Sequence, residues 1–304
     1  SYHPDGTVAA ITPTHGAPAR VKKRVIMDLD KAYYPDRFVV PYIEIVHDRA
    51  VQEVFRGCIR GCRFCQAGFL YRPVREKSPE VINRQCRALC ENTGYDEVSL
   101  SSLSTSDYSQ LNPLLDELLT WSKPEKTSIS LPSLRVDGFQ SEVLDKIKTV
   151  RRSGLTFAPE AGTQRLRNVI NKNVTEAQLR ETVTKAFQGG WTTVKLYFMI
   201  GLPTETLEDV RGIAELGQMV VDTYYACKDK PRGKGLKVTL SASAFIPKPF
   251  TPFQWEPQDT MEQMRAKQMA LVHAVKTRKI SVNWHDASTS FVEAVFARGD
   301  RRLG

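Results

Sequence analysis

Three of the six cysteines lie close together, at positions 58, 62 and 65, in the spacing C-x₃-C-x₂-C. Thiolates are the ligands of iron–sulfur clusters and of zinc. A structural zinc site usually takes two short pairs of ligands, and we find no second pair of that kind. Three cysteines on one loop would instead bind three irons of a 4Fe–4S cluster and leave the fourth iron open, as catalysis requires. We therefore predict that Cys58, Cys62 and Cys65 hold such a cluster. A zinc site and three incidental cysteines are the alternatives.

The residues around these cysteines are suited to an anionic centre. Gly57, Gly61 and Gly68 would let the backbone approach a cluster closely, and arginine side chains can offset its negative charge. Between Arg56 and Arg87 there are eight Lys or Arg residues and two Glu, in a chain of net charge +9. A basic cluster of this kind can bind a polyanion such as RNA, or it can be a solvated loop. No aromatic-rich RNA-recognition motif decides between the two.

After the cysteines, strand and helix patterns alternate along the chain. Strands are predicted at 97–103, 126–132, 155–162, 192–203 and 236–247, with a further one at "ISVNWHD". Helices are predicted from Ser78 to Gly94, at 111–121, 141–154, 163–171, 175–188, 206–228 and 259–278, and in "SFVEAVFARG". Before the cysteines, "FVVPYIEIVHDRAVQEVFRG" predicts two extended runs with a turn near Asp48.

This alternation predicts an α/β fold with parallel strands and right-handed crossovers. A doubly wound sheet and a partial or full (β/α) barrel both satisfy it. In either architecture, functional residues gather at the carboxyl ends of the strands. The cysteine loop follows a strand, and so do "SSLSTSDY", "PSLRVD", "PEAGT" and "GLPTET". We therefore expect one shared site at one face.

With Phe64 directly before the last cysteine, the motif C-x₃-C-x-aromatic-C resembles the signature of the radical S-adenosylmethionine (SAM) superfamily. The resemblance extends over roughly residues 40–290 and implies a partial (β/α)₆ TIM-like barrel of the radical SAM type. It also implies two cofactors, a 4Fe–4S cluster and SAM. In that superfamily SAM chelates the open iron through its amino and carboxylate groups. One electron from the cluster then cleaves SAM to methionine and a 5′-deoxyadenosyl radical, which serves hydrogen abstraction or methyl-type transfer.

The resemblance further implies SAM contacts at the strand ends. "LSSLSTSDY" falls where methylthiotransferase-like members carry a polar SAM-contacting loop, and "PSLRVD" is similar to a segment that contacts ribose and carboxylate. "PEAGTQRLRNVINK" and "KLYFMIGLPTET" look like the fourth- and fifth-strand motifs of that superfamily, the latter lying near adenine. Turn-forming serines and simple ion pairs are the alternatives at single positions. The expected cofactor-binding residues are Phe64, Ser102, Ser104, Ser106, Asp107, Ser133, Arg135, Glu160, Lys172, Lys195 and Gly201.

The remaining chemically capable residues have plainer interpretations. Cys86 and Cys90 share one helix face and could bind a metal, but such a pair is more often buried packing. Cys227 has no partner pattern. His285 and Asp286 lie near the end of the last predicted strand, where they could contact substrate or serve a structural role.

The domain organisation predicted from the sequence is a linker or entry segment at 1–37 and a radical SAM core at 38–304. The chain has 41% apolar and 25% charged residues, typical of a packed protein, with no apolar run that could span a bilayer and no signal-peptide pattern. We expect a cytoplasmic protein without membrane association. Since the chain has no starting Met and ends abruptly, we also expect it to be a piece of a longer protein.

The closest resemblance is to an uncharacterised radical SAM group. It rests on "EVFRGCIRGCRFCQAG", "YRPVREKSP", "KLYFMIGLPTET" and "WHDAS". Its members usually carry an upstream cobalamin-binding-type domain and often a further C-terminal module, so cobalamin is expected only if an upstream domain supplies it. The implied partners are covalently linked flanking domains and a low-potential electron donor of the flavodoxin or ferredoxin type, with RNA as a candidate substrate.

Two other classes of function remain open from the sequence. An iron–sulfur module for electron transfer or sensing, without SAM chemistry, would need a fourth protein ligand for its cluster. A non-catalytic RNA-binding barrel with zinc would be colourless.

Overall fold

The computed structural model describes residues 1–132, 135–136, 142, 146, 155–230 and 235–304. Elements are numbered in chain order within these residues. Ser133 and most of the helix predicted at 141–154 lie outside them. No helix in the described part of the chain is both long enough and apolar enough to cross a membrane.

The first parallel sheet contains three strands, β1 (Ala50–Glu53), β4 (Glu97–Ser101) and β5 (Ser128–Ser130), in that order. Between β1 and β4 the chain forms a short antiparallel ladder of β2 (Phe55–Arg56) and β3 (Arg75–Glu76), with helix α1 (Ala67–Leu70) between them. Helices α2 (Pro79–Thr93) and α3 (Leu111–Ser122) follow β3 and β4. The cysteine loop therefore begins directly after the ladder strand that continues β1.

The second parallel sheet contains β6 (Leu155–Glu160), β7 (Thr193–Ile200), β8 (Lys237–Ala244) and β9 (Ile280–Trp284), in chain order. The helices that accompany it are α4 (Gln164–Val169), α5 (Glu176–Gln188), α6 (Leu207–Ala226), α7 (Met261–Ala274) and α8 (Ala287–Arg298). All described strand pairs within these two sheets are parallel. The separate β2–β3 ladder is antiparallel. This is the α/β fold that the alternation predicts, in the partial-barrel form that the resemblance implies.

The strands separate an apolar outer face from a polar inner face. In β7, Val194, Leu196 and Phe198 are fully buried against the helices, while Lys195 and Tyr197 alternate with them. Successive side chains of a strand point to opposite faces, so Lys195 and Tyr197 share the inner face. Burial of the outer apolar side chains stabilises the fold and leaves the inner face available for polar groups.

Local sequence explains where several helices begin and end. The Ser78 hydroxyl accepts a hydrogen bond from the backbone N–H of Val81, and Gly94 ends α2 in the left-handed conformation. Capping boxes begin α5, α6 and α7 at Thr175, Thr206 and Thr260. These helices lie where the sequence predicts them, within a few residues.

The segment before β1 differs from the prediction. "FVVPYIEIVHD" forms no strand; residues such as Val39, Tyr42 and Ile43 are largely exposed. Pro41 cannot donate a hydrogen bond to a strand ladder, and no neighbouring strand pairs with this segment in the described residues. Extended propensity alone did not produce a strand, because a strand requires a partner. Of the two predicted extended runs, only the second forms strands, as β1 and β2.

Candidate active site

The cysteine loop joins β2 to α1 and is anchored by hydrogen bonds that do not involve its thiols. Asn171 Nδ2 donates to the carbonyl of Gly61 at 2.8 Å. Gln66 Nε2 donates to the carbonyl of Pro249 at 3.1 Å. Asn171 follows α4 and Pro249 follows β8, so the loop is held between elements of the second sheet. These two hydrogen bonds to the rest of the barrel help to fix the backbone of the cysteine loop.

The glycines of this loop are not equivalent. Gly57 has φ +92°, and a Cβ there would lie 2.7 Å from the carbonyl oxygen of Tyr71. At Gly61 a Cβ would come within 3.1 Å of Asn171 Nδ2, whereas at Gly68 its nearest neighbour would be at an ordinary 3.5 Å. Gly57 is therefore required by the backbone, and Gly61 permits the close approach of Asn171.

The three predicted cluster ligands lie together on this loop. Cys58 and Cys62 are buried and Cys65 is half-buried, all as free thiols. Burial raises the pKa of the Cys62 thiol, while the positive charges of Lys172 and Arg135 oppose that rise. Cationic neighbours favour the thiolate, the form that binds iron.

The geometry of the thiols matters for the choice of metal. In the described part of the chain, no three His, Cys, Asp or Glu side chains converge as ligands of one ion. In a cluster each thiolate binds a different iron, so convergence on a single point is not required. Three thiols spread around one loop are therefore compatible with a cluster.

A cavity of about 300 Å³ opens beside the cysteines. Its walls come from the cysteine loop, from the segment after β4, from residues 135–136, from β6 and β7, and from the segment after α4. Sequence-predicted residues that line it are Cys58, Cys62, Cys65, Phe64, Ser104, Arg135, Glu160 and Lys172. The structure thus brings residues separated by more than a hundred positions into one polar cavity at the carboxyl ends of the strands.

The ion pair between Lys172 and Glu160 lines this cavity. Lys172 Nζ lies 3.2 Å from Glu160 Oε1, with side chains 9% and 17% exposed. Burial raises the pKa of the Glu160 carboxyl, and the adjacent Lys172 and Arg135 partly oppose it. Glu160 also has φ +70°, a conformation that is costly for a residue with a side chain. Such strain is tolerated where the surrounding structure fixes the residue, and it is frequent at functional sites.

The loop after β4 is organised around Asp107. Asp107 accepts hydrogen bonds from Arg60 Nε at 2.9 Å and from the Ser104 hydroxyl at 2.7 Å. Burial alone would raise the pKa of Asp107, but these hydrogen bonds outweigh it and the pKa lies below its ordinary value. Ser106 Oγ accepts from the backbone N–H of Arg135 at 3.0 Å. Within this loop Ser104 faces the cavity, while Asp107 and Ser106 position the loop and its neighbour.

Five of the expected SAM contacts in the described residues do not line this cavity: Ser106 and Asp107 of the loop after β4, and Ser102, Lys195 and Gly201. The Ser102 hydroxyl is 2.9 Å from Thr105 Oγ1, and Ser102 lines a second cavity instead. Lys195 packs with its Nζ 4.5 Å from the centre of the Tyr197 ring. Gly201 forms the turn after β7 with φ +86°, and its N–H donates to Glu205 at 2.7 Å. The contacts expected of these residues stay predictions.

The sequence analysis did not identify Arg60 and Tyr197 as residues of this site. Arg60 lines the cavity and holds Asp107, from which it is separated by 47 positions, so no local pattern reveals the pair. Tyr197 lines the cavity and is 40% exposed. Its spacing of two from Lys195 in an otherwise apolar run was a usable signal, because it places both on the polar face.

The remaining candidates have structural roles. Cys86 is completely buried in the core between α2 and the first sheet, and Cys90 packs against that core, as expected of a buried pair. Burial raises the pKa of Cys90 to about 11. Asp286 caps α8 by accepting from the backbone N–H groups of Ser288 and Thr289.

Many charges of the basic stretch between Arg56 and Arg87 are used inside the fold. Arg72 donates to the carbonyls of Gly68 and Arg60. Arg75 donates to three backbone carbonyls and is 8% exposed. Lys77 is also buried, and burial lowers its pKa. The charge excess therefore serves in large part to hold the backbone around the cysteine loop.

A partial parallel barrel with a three-thiol loop and a polar cavity at its carboxyl end defines an enzyme that works through a metal cluster and a bound cofactor. The family model described as the Radical SAM superfamily matches residues 53–217. The chain belongs to this superfamily. It carries the barrel of a radical SAM enzyme, and that superfamily binds a 4Fe–4S cluster and SAM.

Known relatives and structures agree with this placement. An uncharacterized protein of Methanocaldococcus jannaschii is 32% identical over 251 residues, 83% of this chain and 52% of that protein. A methylthiotransferase-like protein of the same organism is 23% identical over 169 residues, 52% of this chain and 36% of that protein. The chain thus spans about half the length of the first relative and about a third of the second.

The fold is also similar to that of a solved enzyme. The radical SAM methyltransferase TsrM of Kitasatospora setae, whose structure contains cobalamin and a [4Fe-4S] cluster, matches with a TM-score of 0.52 and 15% identity. The match covers 67% of this chain and 38% of that one. At this identity the likeness shows the partial barrel fold.

Proposed function

We propose that this chain is the catalytic barrel that cleaves SAM reductively, with the cluster on Cys58, Cys62 and Cys65 and SAM in the adjoining cavity. The reaction that follows is hydrogen abstraction or methyl-type transfer on a substrate held inside the barrel. One observation carries the proposal: the three thiols share a cavity of about 300 Å³ with a buried ion pair, an arginine and an aromatic ring.

The residues of the cavity suit the chemical groups of SAM. Arg135 and Lys172 can bind a carboxylate. Glu160 can accept a hydrogen bond from an ammonium or a ribose hydroxyl, and Phe64 offers a flat apolar surface to adenine. When bound, the cluster supplies the single electron that cleaves the sulfonium of SAM.

The apolar residues of the cavity would protect that chemistry from water. Leu103, Val136, Phe157 and Val174 line the same cavity as the polar groups. Phe157 and Val174 are almost completely buried, so their part of the wall excludes solvent. Exclusion of water prevents side reactions of a reactive species and strengthens the electrostatic contacts around it.

The experiment that tests the proposal is anaerobic reconstitution with iron and sulfide, followed by SAM and a strong reductant. Release of 5′-deoxyadenosine is expected from the wild-type chain and is expected to be lost in Cys62→Ala. The matched control is Cys90→Ala, which removes a half-buried thiol outside the cavity and should retain the activity. A reconstituted 4Fe–4S cluster that yields no 5′-deoxyadenosine with SAM would overturn the proposal.

The electron-transfer alternative requires a fourth protein ligand. The other cysteines lie on α2 and directly after α6, and none of them lines the cavity beside the cluster loop. The SAM-type cavity, which electron transfer alone does not need, favours the enzyme. Electron paramagnetic resonance of the reduced cluster distinguishes the two, since SAM should change the spectrum only where an iron is open.

The substrate and partners belong to the same proposal. RNA as substrate is supported by the basic stretch around the cysteines, although many of those arginines hold backbone carbonyls. Domains flanking 38–304 are supported by the greater length of the relatives. A domain of cobalamin-binding type among them stays the expectation from the sequence resemblance. Radical SAM enzymes need a reductant, and we propose a flavodoxin- or ferredoxin-type donor in the cytoplasm. RNA binding that does not weaken with rising salt would contradict the RNA assignment.

A further inference from the structure

A second cavity, of about 610 Å³, lies beside the first on the other side of Leu103, which lines both. Its lining comes from the end of β1, from β2 and β3, from the end of β4 and from the segment 23–26. Gly57, next to Cys58, also lines it. A molecule in this cavity would therefore lie next to the proposed SAM site, with Leu103 in the lining of both.

The charge of this cavity is strongly positive. Its lining contains Lys23, Arg24, Arg56 and Arg75 but only one carboxylate, Glu53. Glu53 is already paired with Arg56 through two hydrogen bonds, at 2.8 and 3.0 Å. Among the lining residues, no further carboxylate balances the charges of Lys23, Arg24 and Arg75.

Two of those three cations, Arg75 and Lys23, are held by neutral backbone carbonyls. Arg75 donates to the carbonyls of Ile26, Tyr71 and Pro73 at 2.9 to 3.1 Å, so its guanidinium is fixed but its charge is not neutralised. Lys23 donates to the carbonyl of Leu70. Because Arg75 donates to the carbonyl of Ile26, it holds the segment that carries Lys23 and Arg24 at the cavity.

Apart from Ser101 and Ser102, the rest of the lining is apolar and aromatic. Tyr71 is half-exposed, and Ile26 and Leu103 are each more than 40% exposed, so these side chains offer contact surface to a ligand. A cavity of this volume is within the range that holds small organic ligands. Unbalanced cations beside exposed aromatic and apolar surface suit a molecule with a phosphate and a planar or apolar body.

We propose that this second cavity binds the substrate, and that the substrate is phosphate-bearing and of nucleotide size. The inference rests on the proposed function, because it assigns the cavity to the molecule on which that chemistry acts. A free nucleotide and a nucleotide within a single strand present the same chemistry to these residues.

The test measures equilibrium binding of 5′-uridine monophosphate and of uridine to the anaerobic wild-type chain, by calorimetry at low and at high salt. The nucleotide should bind at least about tenfold more tightly than the nucleoside, because only the nucleotide can pair with the cations. Its affinity should fall as salt rises. If a single-stranded uridine tetranucleotide binds more tightly than the monophosphate, the substrate is a nucleotide within a nucleic acid. If the tetranucleotide binds equally or more weakly, the substrate is a free nucleotide.

Two charge reversals and one matched control localise the binding. Lys23→Glu and Arg24→Glu should each weaken nucleotide binding about tenfold, and both residues are exposed, so folding should survive. Arg84→Glu makes the same change at an exposed arginine of α2 outside the cavity and should bind like wild type. Equal binding of uridine and its monophosphate, or equal weakening in Arg84→Glu and Arg24→Glu, would overturn the inference.

The two proposals fail separately. Release of 5′-deoxyadenosine by wild type without nucleotide tests the SAM chemistry, and nucleotide binding to the same chain tests the second cavity. Activity without nucleotide binding rejects the substrate assignment alone. Binding without 5′-deoxyadenosine, on an intact cluster, rejects the proposed chemistry.

Discussion

At the scale of single residues, the site depends on charges that are buried together. Glu160 and Lys172 are twelve positions apart on either side of α4, and their pairing inside the cavity leaves neither charge isolated. An unpaired charge in that position would be costly. The pair therefore satisfies both charges before any cofactor arrives.

Asp107 makes a prediction about pH. Its hydrogen bonds from Arg60 and Ser104 hold the folded pKa below the ordinary 3.8. A carboxyl with a depressed folded pKa stabilises the fold above the unfolded pKa, and this contribution is lost as pH falls through the folded value. Asp107→Asn should therefore cost about 2 kcal/mol near neutral pH, and the difference from wild type should shrink as pH falls below 3.8.

The measurement is urea unfolding of both chains over a pH series. Asp222→Asn, at an exposed position of α6, is the matched control and should follow wild type throughout. A constant difference between Asp107→Asn and wild type at every pH would show that the hydrogen bonds do not depend on the charge of Asp107.

At the scale of elements, the turn between β7 and α6 is built on a buried polar clamp. Lys267 Nζ lies 3.0 Å from Glu205 and 2.7 Å from Asp259, and the Glu205 side chain is 1% exposed. Glu205 in turn accepts from the N–H of Gly201. The sequence "GLPTET" resembles a SAM-contacting motif, and in the structure its glycine and its glutamate fix the turn.

Gly201→Ala should destabilise the chain through this turn. Its φ of +86° is unfavourable for alanine, and the new Cβ would lie 2.9 Å from Asp259 Oδ2. We expect a loss of about 2 kcal/mol, measured by urea unfolding. Gly235→Ala, where a Cβ meets nothing within 4 Å, should stay within about 0.5 kcal/mol of wild type. Equal stability of the two variants would contradict the strained turn.

At the scale of the whole molecule, the barrel is stabilised by cores that do not include the cluster. One core lies between α2, α3 and the first sheet, and a second between the helices of the second half and β6–β9. The cysteine loop is tied to the second half through Arg63, whose backbone N–H donates to Ile170 at 3.0 Å, and through Asn171 and Gln66.

Removal of the cluster should therefore leave the fold intact. After chelation of iron, we expect an unchanged far-UV circular dichroism spectrum and one cooperative unfolding transition, because the apolar cores and the loop anchors remain. Cys62→Ala, purified without a cluster, is the control and should give the same spectrum. Loss of helical signal on chelation would show that folding depends on the metal, as in small zinc domains.

The sequence by itself determined the chemistry and the order of elements. Cysteine spacing, with Phe64 before Cys65, is local, and so are the caps at Ser78 and Thr175 and the alternation of strands with helices. Local interactions of this kind act between residues a few positions apart. The α/β fold could therefore be predicted without coordinates, and Cys58, Cys62 and Cys65 stay the predicted cluster ligands.

Tertiary structure decided which residues share a cavity. The pairing of Arg60 with Asp107, the turn at Gly201 and the separate cavity that takes Ser102 all depend on how distant strands pack. The conformation of "FVVPYIEIV" also depended on tertiary structure, since a strand forms only where another strand supplies hydrogen bonds. Contacts between residues far apart in the chain leave no periodic pattern, so the sequence supplied the candidates and the fold selected among them.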